Sequence, residues 1–593
     1  MRISSRTKRS SFLLLAFATA GVCASQAQTR QGARHGENPA HDSSYPKNFG
    51  SHFQTSDRCV ACHNGLTTPT GEDISIGVNW RTSMMANSGR DPYWIAGVRR
   101  ETIDHPVAAA AIQDECSICH MPMMRYESKL IGREGETFAH FPPGRNTRAD
   151  QLAEDGVSCS VCHQITGEGL GTRTSFVGGF KIDTTKPAGQ RHEYGPFKID
   201  KGHTTIMRSS STFQPTEDKK VIRSSELCAT CHTLLTKALD AEGNVIGELP
   251  EQVPYQEWLH SDYSKDEKSC QDCHMPKVPE EVPITSVLGE PRAGFSQHTF
   301  VGGNFFMQRL LNRYRYDLAV STPPEDLDSA AVRTIAHLQS EAARISITSL
   351  ETRDSRLEAK ISIENLAGHK LPTAYPSRRV WLHLTVRDRL GKVLFESGAL
   401  HPDGSIEGND NDQDPTHFEP HYTEITRPDQ VEIYEAILAD PAGRVTTGLL
   451  TGLRFIKDNR LLPRGFDKRT ADQDVAVQGK AETDPDFVGG GDTIRYSVGL
   501  SGSEAPFQVE AELWYQPIGY RWAMNLKPYD ATEPKRFVGY YEAMASGSGS
   551  AVMLVRTTAV TSHQITAAAE GANSTGGSAV CRTDSSSFSR PSR

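Results

Sequence analysis

The chain has 593 residues, 37% of them hydrophobic and 23% charged, and a formal net charge of −9. That is enough apolar material to build real cores and too little net charge for a disordered chain. Removal of a basic N-terminal segment carrying four positive residues takes the charge to −13, which argues against nucleic acid as a partner and favours a basic protein.

That segment is residues 1–27. Arg2, Arg6, Lys8 and Arg9 precede a short apolar run from Phe12 to Ala20, and Ser25-Gln26-Ala27 offers small residues for cleavage. The pattern is that of a Sec-type signal peptide and places the mature chain in a bacterial periplasm or at the cell exterior. The apolar run is too short to span a bilayer, and no later stretch is long and apolar enough, so no integral membrane segment is expected after cleavage. Val22 stands where a lipidation site at Cys23 would need a small residue. Residues 28–55 are a polar lead-in.

Ten of the twelve cysteines then fall into five identical units: Cys59-Val-Ala-Cys62-His63, Cys116-Ser-Ile-Cys119-His120, Cys159-Ser-Val-Cys162-His163, Cys228-Ala-Thr-Cys231-His232 and Cys270-Gln-Asp-Cys273-His274. Besides Cys23, only Cys581 lies outside them. Composition alone would give on the order of 0.01 such units in a chain of this length, so five are not coincidence. The spacing suits covalent haem attachment. Two sulfurs separated by two residues reach the two vinyl groups of one porphyrin, and the adjacent imidazole becomes the proximal iron ligand. Structural zinc sites do not need the adjacent histidine, and a thioredoxin-type site would occur once. Five covalently bound haem c groups are therefore expected, with His63, His120, His163, His232 and His274 as proximal ligands.

The motifs occupy residues 59 to 274, about one haem per 50 residues, inside a domain placed at residues 56–310. The haems are expected to pack on one another in place of an apolar core, within short helices and Pro- and Gly-rich loops. A helix is predicted at about Pro323 to Ala343, capped by Ser321 or Thr322, within a connector at residues 311–343. From about residue 344 the period becomes two. Leu357, Ala359, Ile361 and Ile363 alternate with polar residues, as do Val380, Leu382, Leu384 and Val386. Val393 to Phe395, Val431 to Ile433, Ile494 to Val498 and Val509 to Leu513 add further strands. The fold class expected is multidomain: a loop-rich, mainly short-helical pentahaem cytochrome domain, then an antiparallel β-sandwich of immunoglobulin-like form at residues 344–560. Residues 561–593 are Ser-, Gly- and Ala-rich and read as a disordered tail.

Function turns on the second axial position of each iron. A second histidine or methionine gives a closed electron-transfer haem, and an empty position gives a site for small molecules. His298 and His203 rank first as distal candidates, then His105, His260 and His52, with His140 and His192 behind them. Met84, beside Met85, is a thioether candidate. His369 stands in Gly368-His369-Lys-Leu-Pro-Thr, where a loop of the β-domain could reach back to a haem.

Three segments carry a resemblance. Tyr255-Gln-Glu-Trp258-Leu-His-Ser261 followed by Cys270 to Pro276, together with His298-Thr-Phe-Val-Gly-Gly303, resembles the family of the nitrifiers' tetrahaem cytochrome and hydroxylamine oxidoreductase, in which the second segment carries a distal ligand. The Gly368 to Thr373 segment and the β-domain resemble C-terminal extensions of large bacterial multihaem cytochromes. Hydroxylamine oxidoreductases carry eight motifs, and pentahaem nitrite reductases mark their active haem with a Cys-x-x-Cys-Lys variant that is absent here. Both departures weigh against catalysis; closely spaced haems lead to the expectation of electron transfer between redox partner proteins, other cytochromes among them, and no catalytic residue is assigned. The alternatives are an oxidoreductase with one open haem acting on a small nitrogen or sulfur compound, and a larger assembly that the β-domain docks or attaches.

Overall fold

Regular structure in the first half comes in short pieces, as a sequence punctuated by glycine, proline and the cysteine motifs dictates. The longest helix there, Pro92–Asp104, has 13 residues. The Asp91 carboxylate caps it by accepting from the Tyr93 and Trp94 amides, and Pro92 sits where the missing amide costs nothing. Strands β1 (Arg191–Gly195) and β2 (Phe213–Glu217) pair in parallel, and β3 (Leu234–Leu239) and β4 (Val245–Gln252) pair antiparallel. The computed structural model describes residues 45–561 apart from 47, 501 and 546–548. The signal peptide with Cys23, most of the lead-in, and the tail with Cys581 lie outside the described residues.

This half contains an apolar cluster of its own, contrary to the expectation that haems alone would replace one. Phe49, Phe53, Met121, Met123, Met124, Leu152 and Val161 are all buried in it. The pattern was missed because its members come from short, separated elements with no sustained period.

The predicted helix is present as Pro324–Glu341. Pro323 holds the cap position, and the Thr322 hydroxyl donates to the Arg81 carbonyl instead of capping. The β half holds β5 (Ala343–Arg353), β6 (Arg356–Asn365), β7 (Arg379–Arg387), β8 (Val393–Ser397), β9 (Glu424–Ile425), β10 (Ile433–Tyr434), β11 (Ala436–Ala439), β12 (Val445–Thr446), β13 (Arg454–Asp458), β14 (Gly491–Gly499), β15 (Gln508–Gln516) and β16 (Val552–Val560). One sheet runs β5-β6-β14-β9. A second runs β10-β7-β15-β16, with β8 also on β7, and a small third runs β12-β11-β13. Most pairs are antiparallel. The β9–β14 pair is parallel, which a purely antiparallel sandwich would not have. Period two explains the packing, since Leu357, Ala359, Ile361 and Ile363 of β6 and Val380, Leu382, Leu384 and Val386 of β7 enter one buried cluster.

That cluster does not stop at the β half. Phe305, Phe306, Met307, Leu310 and Leu311 of helix Phe305–Arg313 belong to it, as do Leu327 and Leu338 of the predicted connector and Ala96 of helix Pro92–Asp104. The two halves are clasped further by a bidentate Arg99–Glu533 pair at 2.9 and 3.0 Å.

A buried polar centre lies in the β half. The His421 ring contacts Glu432 at 2.8 Å and Asp484 at 2.9 Å, and Tyr434 donates to Asp492 at 2.8 Å. Burial opposes a charged imidazole, but Glu432, Asp492 and Asp484 outweigh it and push His421 up to about 9. Burial, with Glu432 adding to it, pushes Asp492 up to about 7. Both groups hold protons in the folded chain that the unfolded chain releases at lower pH. Stability from Asp492 is therefore present below about pH 4 and lost as pH rises through about 7. Stability from His421 is present below about pH 6.5 and lost through about 9. Melting temperature measured from pH 5 to 9 is expected to fall, and less steeply in His421→Gln.

Candidate functional site

Each Cys-x-x-Cys-His unit forms one helical turn. His63, His163 and His232 donate their amides to the carbonyls of Cys59, Cys159 and Cys228, at 3.1, 3.1 and 2.9 Å. The second and fifth units end helix Ala109–His120 and fill helix Cys270–His274. Helical spacing puts the two sulfurs, three residues apart, on one face, with the imidazole one position further on. All ten cysteines are free and half-buried.

Four of the five imidazoles are held through one nitrogen. Nδ1 donates to the Ile284 carbonyl from His63 at 2.6 Å, to Ser88 from His120 at 3.3 Å, to Tyr194 from His163 at 2.6 Å and to Val301 from His274 at 2.5 Å. A hydrogen bond at Nδ1 fixes the tautomer and leaves the Nε2 lone pair to coordinate, the usual support of a metal-binding histidine. Burial lowers His63 and His163, and pulls His120 and His232 down to about 4. These rings are therefore neutral at neutral pH, the form that can ligate.

Two of them face a second imidazole. His298 lies 6.4 Å from His163, ring centre to ring centre, with planes 19° apart. His369 lies 6.2 Å from His274 at 13°. Imidazoles bound on opposite sides of one metal, each nitrogen about 2 Å from it, have ring centres about 6 Å apart. Both second rings have Nδ1 on a carbonyl, of Ser296 at 3.1 Å and Lys370 at 2.9 Å. Burial, then the neighbouring His163, takes His298 down to about 3, and burial lowers His369. The residues fit iron porphyrin at these two positions.

The other distal candidates are placed differently. His52 is held by Glu127 at 3.1 Å through Nδ1. His140 donates Nδ1 to Asp150 at 2.8 Å and keeps a buried Nε2 without a hydrogen-bond partner among the described residues. His105 contacts the Thr451 hydroxyl at 3.3 Å and keeps a buried Nδ1 without one. His203 uses both nitrogens, on Asp200 and on the Val287 and Leu288 carbonyls. His260 uses both on Gln256 and Asp472, and His192 on Thr216 and Lys186. Met84 packs, half-buried, against the large apolar cluster. Trp94 stacks flat on His120 at 4.2 Å and 1°.

The motifs are neighbours in an order the sequence does not follow. The Cys59 thiol lies close to Cys159, Cys231 to Cys119, and Cys228 to Cys270. Hydrogen bonds tie the same pairs. Gln54 and Ser160 bond at 2.7 Å, beside the first and third motifs. The Cys270 amide donates to the Ser225 hydroxyl at 3.2 Å, joining the fifth to the fourth. The Gly178 amide donates to the Thr230 carbonyl at 2.6 Å, inside the fourth motif. A Cβ at Gly178, where φ is +67°, would meet Ile118 of the second motif at 2.1 Å, so only glycine fits between the second and fourth. Val161 of the third motif packs in the same cluster as Leu227 and Cys231 beside and within the fourth.

A cavity of about 70 Å³, partly open to solvent, adjoins the first motif, lined among others by Cys59, Cys62, His63, Glu193, His203 and Met207. Burial pushes the Glu193 carboxyl up to about 7, and its Oε1 has no hydrogen-bond partner among the described residues.

Three features escaped sequence reasoning. His337 of helix Pro324–Glu341 lies 6.5 Å from His274, with planes 56° apart. It was passed over because its helix read as a connector. The supporting carboxylates Asp150 and Glu127 give no local signal, and the backbone carbonyls behind the proximal rings are invisible in any sequence.

No protein-family model matches the chain, and no curated protein does. Among solved structures it is similar to a penta-haem cytochrome c552 from Thermochromatium tepidum, at 16% identity and a TM-score of 0.45, over 86% of this chain and 99% of that one.

Proposed function

We propose that the chain is an exported pentahaem c-type cytochrome that passes electrons between redox partner proteins outside the cytoplasm. The observation that carries this is the set of five Cys-x-x-Cys-His turns, four with Nδ1 anchored and two of those facing a second neutral imidazole at bis-ligand spacing. When bound, haem supplies the one-electron chemistry; the chain sets ligation, spacing and solvent access. His298 and His369 are the distal ligands assigned to the third and fifth motifs. Contacts between motifs make a branched conduit, with the fourth touching the second, third and fifth, and the first reached through the third. Expression with a haem-attachment system, followed by intact mass and pyridine haemochrome assay, is expected to give five haems per chain. Fewer than five with all motifs intact would contradict the reading.

A second reading has its own support. The buried Glu193 carboxyl, whose Oε1 has no hydrogen-bond partner among the described residues, stands in the wall of the space that a haem on the first motif would fill, and suits proton exchange with a small nitrogen or sulfur compound at an open iron. Carbon monoxide binding to one haem in five of the reduced protein would favour it, and no binding would favour pure electron transfer.

A further inference from the structure

His274 has two imidazoles within reach, not one. His369 comes from the loop after β6, with planes 13° from parallel and its Nδ1 already engaged. His337 comes from helix Pro324–Glu341, at 6.5 Å and 56°, and its ring takes no hydrogen bond among the described residues. One metal on His274 has a single opposite position, so the two rings compete for it.

The loop bearing His369 is fastened by a buried ionic cluster. Glu257, on helix Pro254–Leu259 ahead of the fifth motif, is fully buried. Its Oε2 accepts from the Lys370 amide at 3.1 Å and the Thr373 hydroxyl at 2.5 Å, on either side of the Leu371-Pro372 bond. Its Oε1 lies 2.9 Å from Arg460 as an ion pair, without hydrogen-bond alignment. Arg460 and Lys370 both pair with Asp458, at 2.8 and 2.7 Å. Two cations and two carboxylates thus close a neutral buried network that joins the haem half to the β half at the residue next to His369. A network with no spare charge and almost no exposure has one good arrangement, and losing a member leaves buried groups unpaired. Helix Pro324–Glu341, which bears His337, is not part of it.

The geometry points to a two-ligand position: the haem on the fifth motif takes His369 while the Glu257 network holds the loop, and takes His337 when the loop is released. Release from either half would change the angle between the axial imidazole planes without leaving the iron open, and with it the properties of that one haem. This inference rests on the five-haem reading, and Glu257 acts through the loop as a positioning residue.

The test is low-temperature EPR of the oxidised holoprotein, with haem counted by mass in every sample. His369→Ala is expected to leave the number of low-spin haems at the parent's value while the signal of one in five moves to new g-values. His337→Ala is expected to match the parent, and the double variant to turn one haem in five high-spin. Glu257→Gln, which touches neither ring and keeps the side-chain shape, is expected to show the His369→Ala signal in part, with Glu257→Asp nearer the parent. If His369→Ala alone gives the high-spin fifth, or leaves the spectrum unchanged, the two-ligand idea is wrong. Should His369→Ala fail to fold, a Glu257→Gln spectrum identical to the parent overturns it by itself. A parent with fewer than five haems would instead overturn the reading on which the inference rests.

Discussion

Cys228→Ser with Cys231→Ser is expected to yield a four-haem protein whose remaining haems no longer exchange electrons as one set. The fourth motif touches three others, through Cys231 to Cys119, Cys228 to Cys270, and a shared apolar cluster to Val161. Removing it strands the fifth motif and leaves the second joined to the first and third only through the apolar cluster, where Met121 and Met123 pack with Val161. The same substitutions at Cys59 and Cys62 remove an end of the conduit, and exchange among the other four should persist. Flash reduction of a small fraction of the haems, followed by optical relaxation, separates the cases. A single fast equilibration is expected in the Cys59/Cys62 variant. In the Cys228/Cys231 variant a slow phase is expected, at least about tenfold slower, equivalent to about 1.4 kcal/mol of added barrier. Equal relaxation in both variants would rule out a hub at the fourth motif.

Asp458→Ala is expected to cost about 3–5 kcal/mol of stability, the usual effect of removing one partner from a buried ion pair. Asp458 is the shared acceptor for Lys370 and Arg460, and its loss leaves two cations against the single Glu257. Burial alone would raise its pKa, but Arg460 and Lys370 hold it far below the usual carboxylate range. A depressed folded-state pKa adds stability that is present above the unfolded value near 4 and is lost as pH falls below it. Urea unfolding at neutral pH should therefore show the full deficit in Asp458→Ala, narrowing towards pH 2. A deficit under 1 kcal/mol at neutral pH would mean the network is not closed as described.

How much of this was legible follows from what sequence patterns encode. Covalent chemistry fixes the spacing of the Cys-x-x-Cys-His units, and each forms its turn where the sequence puts it. Alternation fixes the inward faces of β6, β7, β14 and β15, because one buried sheet face demands it. The strand β5 was not singled out although Ile345 and Ile347 alternate, since it starts directly off the helix end at Glu341. The parallel β9–β14 pair joins two-residue and nine-residue strands far apart in the chain, which no local pattern specifies. At the site, the neighbours of His163 and His274 are set by tertiary structure. His298 and His369 were visible as histidines in suggestive loops, while His337 hid in an ordinary amphipathic helix. His203 ranked with His298 in sequence, with His260 and then His192 behind, yet each of the three spends both nitrogens on neighbouring residues. A sequence gives the presence of an imidazole; only packing gives the direction of its lone pair.

The most direct test of the account is spin quantitation by EPR on the oxidised full-length protein with its haems counted. The account predicts five haems per chain, of which at least two, those of the third and fifth motifs, are low-spin with two imidazole ligands, and His298→Ala turns one of them high-spin. Fewer than two low-spin bis-imidazole haems, or a spectrum unmoved by His298→Ala, would contradict it.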